Sequence, residues 1–348
     1  MISPEATSEA GVDDAVESAP SATGTAPGGW RSRVRQVAGF LAENRKAAVG
    51  LFIIAVFIII AIIGPIIAPY NPTQMGVGGS QEHPGSAHWL GTTQLGQDIL
   101  SQVLVGTRGS LAVGFATGFL TTLLAVIVGL TAGYLGGWVD DVLSIITNVF
   151  LTLPFIPIMI VVASYAAAFN VKGPLILVGV LTLTGWAWGA RVKRSQVLTL
   201  RDKDFVMAAR VVGESWVHIV FFEIVPNMLS LIAASFLFST IFAILGEAAL
   251  EFIGLGDPTS VTWGVILNQA ETNSALLQGA WYWFIPPGLC IGIFALGLAL
   301  VNYAIDEVTN PKLRVQRVRS DTEAQASGDT SGSHDSAATG AKSNVSVA

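Results

Sequence analysis

The chain has little of what a water-soluble enzyme needs. Only 12% of its 348 residues are charged, 52% are hydrophobic, and the mean hydropathy is +0.61. That leaves too little polar surface to cover a soluble globule of this size, and it places the chain in a bilayer. The one cysteine, Cys290, lies inside an apolar run, which excludes a disulfide framework, a Cys-x-x-Cys redox pair and a cysteine zinc site. His83, His88, His218 and His334 include no His-Glu-x-x-His spacing, so no metal site is expected. Lys and Arg are missing from residues 1–29, 69–107 and 253–283, and no basic field for nucleic acid exists. No Gly-x-x-x-x-Gly-Lys-[Ser/Thr] loop is present to cradle nucleotide phosphates.

What is abundant is apolar runs of spanning length. They fall at 47–68, 104–132, 142–168, 174–190, 227–250 and 284–305, and predict an all-α integral membrane protein with six transmembrane helices. The first starts too late and runs too long for a cleaved secretory signal, and reads as a retained signal anchor. Residues 1–29 and about 320–348 are rich in Ser, Thr, Ala, Gly and Asp, the composition of disordered tails. The chain then divides into a leader (1–29), a basic flank with the first helix and an outer loop (30–103), a five-helix core (104–306) and a tail (307–348).

Orientation follows from the cations. Arg31, Arg33, Arg35, Arg45 and Lys46 precede the first span; Arg191, Lys193, Arg194, Arg201, Lys203 and Arg210 lie between the fourth and fifth; Lys312, Arg314, Arg317 and Arg319 follow the sixth. With six spans these groups share one side, which the positive-inside rule makes cytoplasmic. Both termini of this cell-membrane protein are thus expected inside. Only Arg108 and Lys172 fall opposite, and Arg108 is near enough to a helix end to snorkel. Trp263, Trp281, Tyr282, Trp283 and Phe284 crowd the end of an outer loop, where aromatic interface anchors are expected.

The segment 205–227 is apolar but broken by Arg210, Glu214 and Glu223. Each charge costs about 2.5–3.5 kcal/mol at the bilayer centre, against about 0.3–0.6 returned by each Val, Ile or Phe, so it should not insert. Phe205, Ala208, Ala209, Val212, Trp216 and Val220 recur at helical spacing, with Arg210, Glu214 and His218 on other faces. One or two short helices under the membrane are expected, with small residues exposed at Ala208 and Ala209. Asp202 or Asp204 is a candidate cap, Gly213 permits a bend, and Pro226 suits the first turn of the next span.

Here the chain resembles the integral-membrane permeases of ABC importers. Their signature, Glu-Ala-Ala, three residues, Gly, then about ten residues to a hydrophobic-x-Leu-Pro ending, is matched at Ala208, Ala209, Gly213 and Pro226, with Val225 for the Leu. Met207 stands where the family has Glu, and Glu223 where it has an apolar residue. The block from His88 through Leu90-Gly91-Thr92 to Gly96-Gln97-Asp98 is similar to the His-x-Leu-Gly-Thr-Asp-x-x-Gly-Arg-Asp of the dipeptide and oligopeptide branch, with Thr93 for Asp and Gln97 for Arg. Glu247-Ala248-Ala249-Leu250-Glu251-Phe252-Ile253-Gly254-Leu255-Gly256, then Trp263-Gly264, is similar to a second block of that branch's C-type subunit.

The resemblance implies a type I ABC importer permease fold with a cytoplasmic coupling helix near 205–220. Met207, Ala208, Ala209, Arg210, Gly213, Glu214 and Pro226 would face an ATPase: the small residues permit close docking, and Arg210 and Glu214 make polar contacts at its rim. It implies as partners a second homologous permease, one or two ABC ATPases, an extracytoplasmic binding protein and membrane lipid. ATP and Mg would be bound by the ATPases, and this chain would need no cofactor and catalyse no reaction. The implied cargo is dipeptides or oligopeptides; nickel and oligosaccharides are carried by other members. The short ending from Asn302 through Asp306 and Glu307 to Asn310-Pro311 departs from the usual peptide pattern and gives some weight to oligosaccharides. An ATP-independent channel or ion-coupled carrier usually needs ionisable groups at mid-membrane, and spans two to six offer almost none. A mere membrane anchor leaves the amphipathic segment without a purpose; the alternative for the segment itself is an amphipathic interfacial helix with no docking role.

Other features admit simpler readings. The pairs Gly114/Gly118, Gly129/Gly133, Gly185/Gly189 and Gly288/Gly292 are expected to let helices pack closely in a heterodimeric bundle. Pro154 and Pro157 should kink the third span, either to open a path or as architecture alone. Glu247 and Glu251 share a helical face; a carboxylate pair in a membrane can bind a cation or relay protons, but their place at the outer mouth favours a wet, exposed role.

Overall fold

The computed structural model describes residues 44–168 and 173–309, and all but Asn44 of these belong to one compact unit. The expected tails, the basic groups at Arg31, Arg33 and Arg35 and from Lys312 to Arg319, Lys172, and the Asn310-Pro311 ending lie outside the described residues. Among the described residues ten helices follow in order: α1 Arg45–Ile67, α2 Ile99–Leu135, α3 Gly137–Thr152, α4 Phe155–Ala168, α5 Pro174–Leu200, α6 Asp204–Val211, α7 Trp216–Asn227, α8 Leu229–Phe252, α9 Trp263–Thr272 and α10 Trp281–Thr309.

Five of these, α1, α2, α5, α8 and α10, are long and apolar enough to cross a membrane. The expected third span is not one straight helix. Its halves, α3 and α4, meet at 93° across Leu153-Pro154, so a sixth crossing is made only if this bent pair counts as one. Proline accounts for the break: it has no N–H to donate and disfavours helical geometry in the residue before it, and Leu153 is extended.

α2, at 37 residues, is the axis of the bundle. It packs along α5, α8 and α1, and its glycines set the distances. A Cβ on Gly118 would sit 2.2 Å from Thr240 Oγ1 of α8, and one on Gly129 would sit 2.6 Å from the Ala190 carbonyl of α5. These pairs behave as close-packing sites, whereas Gly288 and Gly292 of α10 have nothing within 4 Å of a Cβ and do not. α5 also runs ten residues past the expected end of the fourth span. Arg191, Lys193 and Arg194 therefore lie on a packed helix rather than in a loop, and Lys193 is fully buried (0% exposed) against α2.

One end of the bundle carries the short helices α6 and α7, here called the elbow. Arg201 donates to the Gly133 carbonyl at 3.1 Å near the end of α2, so the elbow hangs from the C-terminal ends of α2 and α5. At the far end, residues 68–98 form an ordered cap. Asp98 caps α2 by accepting from Ser101 N–H at 2.8 Å, and its other oxygen meets His88 Nδ1 at 2.9 Å. Tyr282 donates to the Gln81 carbonyl at 2.8 Å and ties this cap to α10.

α9 is the second departure. Instead of a polar loop, it folds back into the far end, where Trp263 packs edge-on to Phe57 at 5.7 Å between ring centres. Trp263, Tyr282 and Trp283 are thus core residues and not interface anchors; of the expected belt only Trp281 is well exposed. Apolar area buried against α9 outweighs what an indole gains at the headgroups.

Candidate functional site

The elbow is held by a few apolar side chains. Val206 of α6 and Ile219, Val220 and Ile224 of α7 are buried with Leu130 of α2 and Val197 of α5. Between the two helices Gly213 has φ +87°, a conformation that costs an L side chain about 1–2 kcal/mol. Nothing lies within 4 Å of a Cβ there, so glycine is needed for the turn and not for space. Ser215 then caps α7 by accepting from His218 N–H at 3.3 Å, while neither Asp202 nor Asp204 caps α6. Residues Ile219–Ile224 form a π-turn, which brings Ile219 and Ile224, five apart, onto the same buried face.

The turn at Gly213 changes which face is which. A single helical period across 205–220 does not survive it: Phe205, Ala208, Val212 and Trp216 point outward, and only Val220 of the expected stripe is firmly buried. Met207, Ala208, Arg210, Gly213, Glu214 and Pro226 are exposed and Ala209 is half-buried. Arg210 lies over the Tyr134 ring at 5.1 Å, and Glu214 is 3.6 Å from His218. Among the large apolar residues of the elbow, Val211 (88%), Val212 and Phe222 are well exposed.

Two of the cavities among the described residues adjoin each other along α2, α3 and α5. The central one, about 420 Å³, sits between α2, α3, α4, α5 and α8. Its lining has no charged residue; Thr117, Thr121, Thr184, Ser235 and Ser239 bring hydroxyls among Phe150, Phe155, Trp188, Phe238 and Phe242. The Thr117 and Thr121 hydroxyls are buried without a protein partner. The second cavity, about 480 Å³, lies nearer the elbow and is lined by Ser144, Thr147 and Asn148 of α3, Arg191, Arg194 and Ser195 of α5, and α2. Hydroxyls and two guanidiniums in a membrane bundle were not visible as a site in the sequence; the i, i+3 spacing of Arg191 and Arg194 at the end of an apolar run was the available signal.

Comparison with known proteins agrees with this architecture. Residues 125–315 match the family described as binding-protein-dependent transport system inner membrane component, and residues 32–84 match the N-terminal transmembrane domain of oligopeptide transport permease C. The chain is 31% identical to the dipeptide transport system permease protein DppC of Alkalihalophilus pseudofirmus, over 83% of this chain and 92% of that one. It belongs to this permease family. It is also 32% identical to the oligopeptide transport system permease protein OppC of Bacillus subtilis, over 78% of this chain and 87% of that one. A chain from an inward-facing structure of the MetNI methionine ABC transporter aligns with a TM-score of 0.47 and 18% identity, covering 60% of the permease and 94% of that chain.

The two blocks that distinguish the permease are both structural at the far end. In the first, Thr93 and Gln97, which replace the branch's Asp and Arg, touch each other: Gln97 N–H donates to Thr93 Oγ1 at 3.1 Å. Gln97 also donates to the Thr73 carbonyl at 3.2 Å, so a neutral pair secures the cap. In the second, Glu247 and Glu251 are not wet. They are 1% and 2% exposed, because α9 folds over them. Glu251 accepts from the Thr262 hydroxyl at the start of α9, and Gly264 leaves room for it: a Cβ there would meet Glu251 Oε2 at 2.5 Å. Ser110, whose hydroxyl accepts from Trp263 N–H at 3.1 Å, faces Glu247. The pair therefore joins α8 to α2 and α9. Among the described residues no group of three His, Cys, Asp or Glu is placed to hold a metal.

Proposed function

We propose that the chain is the membrane subunit of an ATP-driven importer of dipeptides and oligopeptides. The elbow and both chain termini face the cytoplasm; the cap and α9 face outward, where a binding protein delivers the substrate. A second homologous permease completes the path, and one or two ABC ATPases bind ATP and Mg. α6 and the start of α7 act as the coupling helix: they dock in a groove of the ATPase, and closure of the ATPase pair moves α2 and α5 through the elbow's buried contacts. One observation carries this reading. The elbow buries Val206, Ile219, Val220 and Ile224 and still presents Val211, Val212 and Trp216 outward, as a lever fixed at one face and sticky at the other would. Met207 leaves the family's carboxylate contact to Arg210 or Glu214.

Peptide cargo is supported by the central cavity, which has hydroxyls to meet peptide groups and no His, Cys or carboxylate of the kind that selects nickel. The test is co-purification in detergent. Recovery of the ATPase with the permease is expected to fall at least about ten-fold when Ala208→Trp or Val211→Asp alters the outward face, the size of a lost interface hot spot. Both variants should insert and purify normally because neither side chain is buried. Undiminished recovery with both would overturn the docking assignment.

A further inference from the structure

The two cavities are lined in succession by the same three helices. α2 contributes Thr117 and Thr121 to the central cavity and Val128, Gly129 and Ala132 to the second; α5 contributes Thr184 and Trp188 to the first and Arg191, Arg194 and Ser195 to the second; α3 contributes Phe150 and Leu151 and then Ser144, Thr147 and Asn148. Their chemistry differs sharply. The central cavity is uncharged, and the second has two cations and no acid among its lining residues. One cation is satisfied. Arg194 donates to both carboxylate oxygens of Asp140, with Nη2 at 2.7 Å, and Ser144 donates to Asp140 at 3.0 Å. Among the described residues Arg191 donates to Asn148 Oδ1, a neutral amide oxygen.

We propose that Arg191 receives the C-terminal carboxylate of the peptide as it leaves the central cavity toward the elbow, which makes the second cavity a carboxylate subsite of the path. This rests on the peptide-importer reading above. A guanidinium fork matches a carboxylate in shape, and a charge-assisted hydrogen bond is roughly twice as strong as a neutral one, so a carboxylate displaces the Asn148 amide. The displacement is reversible, as release requires. A neutral oligosaccharide has no charge for Arg191, and a nickel cation is repelled by the Arg191 guanidinium, Arg194 being already paired with Asp140. The subsite therefore favours peptides among the cargoes of this family.

The test uses the complete importer in proteoliposomes, with trialanine and its C-terminal amide as probes. The ratio of Arg191→Gln to wild-type uptake is compared between the two peptides, so that any preference of the binding protein divides out. The free acid is expected to slow roughly ten-fold, the cost of one charged hydrogen bond, while the amide stays within about two-fold. Asn148→Asp sets a carboxylate against Arg191. It is expected to slow the free acid as well, although it strengthens the link between α3 and α5; a purely structural role for Arg191 predicts wild-type uptake. Where wild type carries the acid and not the amide, Asn148→Asp alone decides. Equal loss of both peptides in Arg191→Gln, or normal uptake in Asn148→Asp, overturns the proposal. A lipid phosphate is the other source of an anion. Wild-type uptake that depends on phosphatidylglycerol in phosphatidylcholine vesicles, with Arg191→Gln indifferent to it, also overturns it. Failure of the peptide reading is distinct: wild type with ATP would then take up neither probe.

Discussion

Gly118 and Gly292 are both helical glycines in apolar runs, one on α2 and one on α10, and a sequence pattern treats them alike. Their surroundings differ. A Cβ on Gly118 would meet Thr240 not only at its hydroxyl but at 3.0 Å from its backbone N and Cα, which cannot turn aside as a side chain can. Gly118→Ala must push α8 off α2, at an overpacking cost of about 1–3 kcal/mol. Gly292→Ala meets nothing within 4 Å and removes a poor helix former, so it should be neutral or stabilising by up to about 1 kcal/mol. Thermal unfolding of the two variants in the same detergent checks this: a lower Tm for Gly118→Ala only. The same lesson applies to Glu247 and Glu251, whose spacing is plain in the sequence but whose burial depends on a helix, α9, that arrives from another part of the chain.

At the level of elements, the long helices were legible because a bilayer demands one property over about 20 residues, and α1, α2, α5, α8 and α10 lie close to the expected runs. What was not legible depends on single positions or distant contacts. Leu153-Pro154 turns one apolar run into two helices, Gly213 reverses the meaning of an amphipathic stripe, and α9 hides among the residues of a loop. The elbow as an uninserted segment could be read from its charges, yet its buried face could not, because that face is chosen by Leu130 and Val197. Gly213 offers the sharper test. Its positive φ tolerates Asn much better than a β-branched residue. Gly213→Asn should keep most of the uptake and ATPase recovery, while Gly213→Val should lose most of both with the chain still in the membrane. Equal behaviour of the two variants would mean that the turn does not set the geometry of docking.

For the whole molecule, the two ends of the bundle are built differently, and this is what a directional importer requires. The far end is closed by an ordered cap, by α9 and by the Glu251-Thr262 contact, all tied to α1, α2, α8 or α10. The elbow end carries the second cavity, with its cations, and the exposed apolar lever. Arg191, Arg194 and Arg201 lie at the same end as the proposed docking surface, and the positive-inside rule predicts a cytoplasmic location for that end. The orientation can be tested with two cysteines in a Cys290→Ala background, in cells that express the permease without the ATPase. Ser86 lies exposed in the cap, and Val211 lies exposed on the elbow. A membrane-impermeant maleimide applied to intact cells stripped of their outer layers should label Ser86→Cys and spare Val211→Cys; in inverted vesicles the pattern should reverse. If the proposed docking holds, adding the ATPase to those vesicles should then shield Val211→Cys, because the same exposed side chain that reports the side of the membrane lies on the proposed docking face. Labelling of Val211→Cys from outside would invert the protein and remove the elbow from reach of any cytoplasmic ATPase.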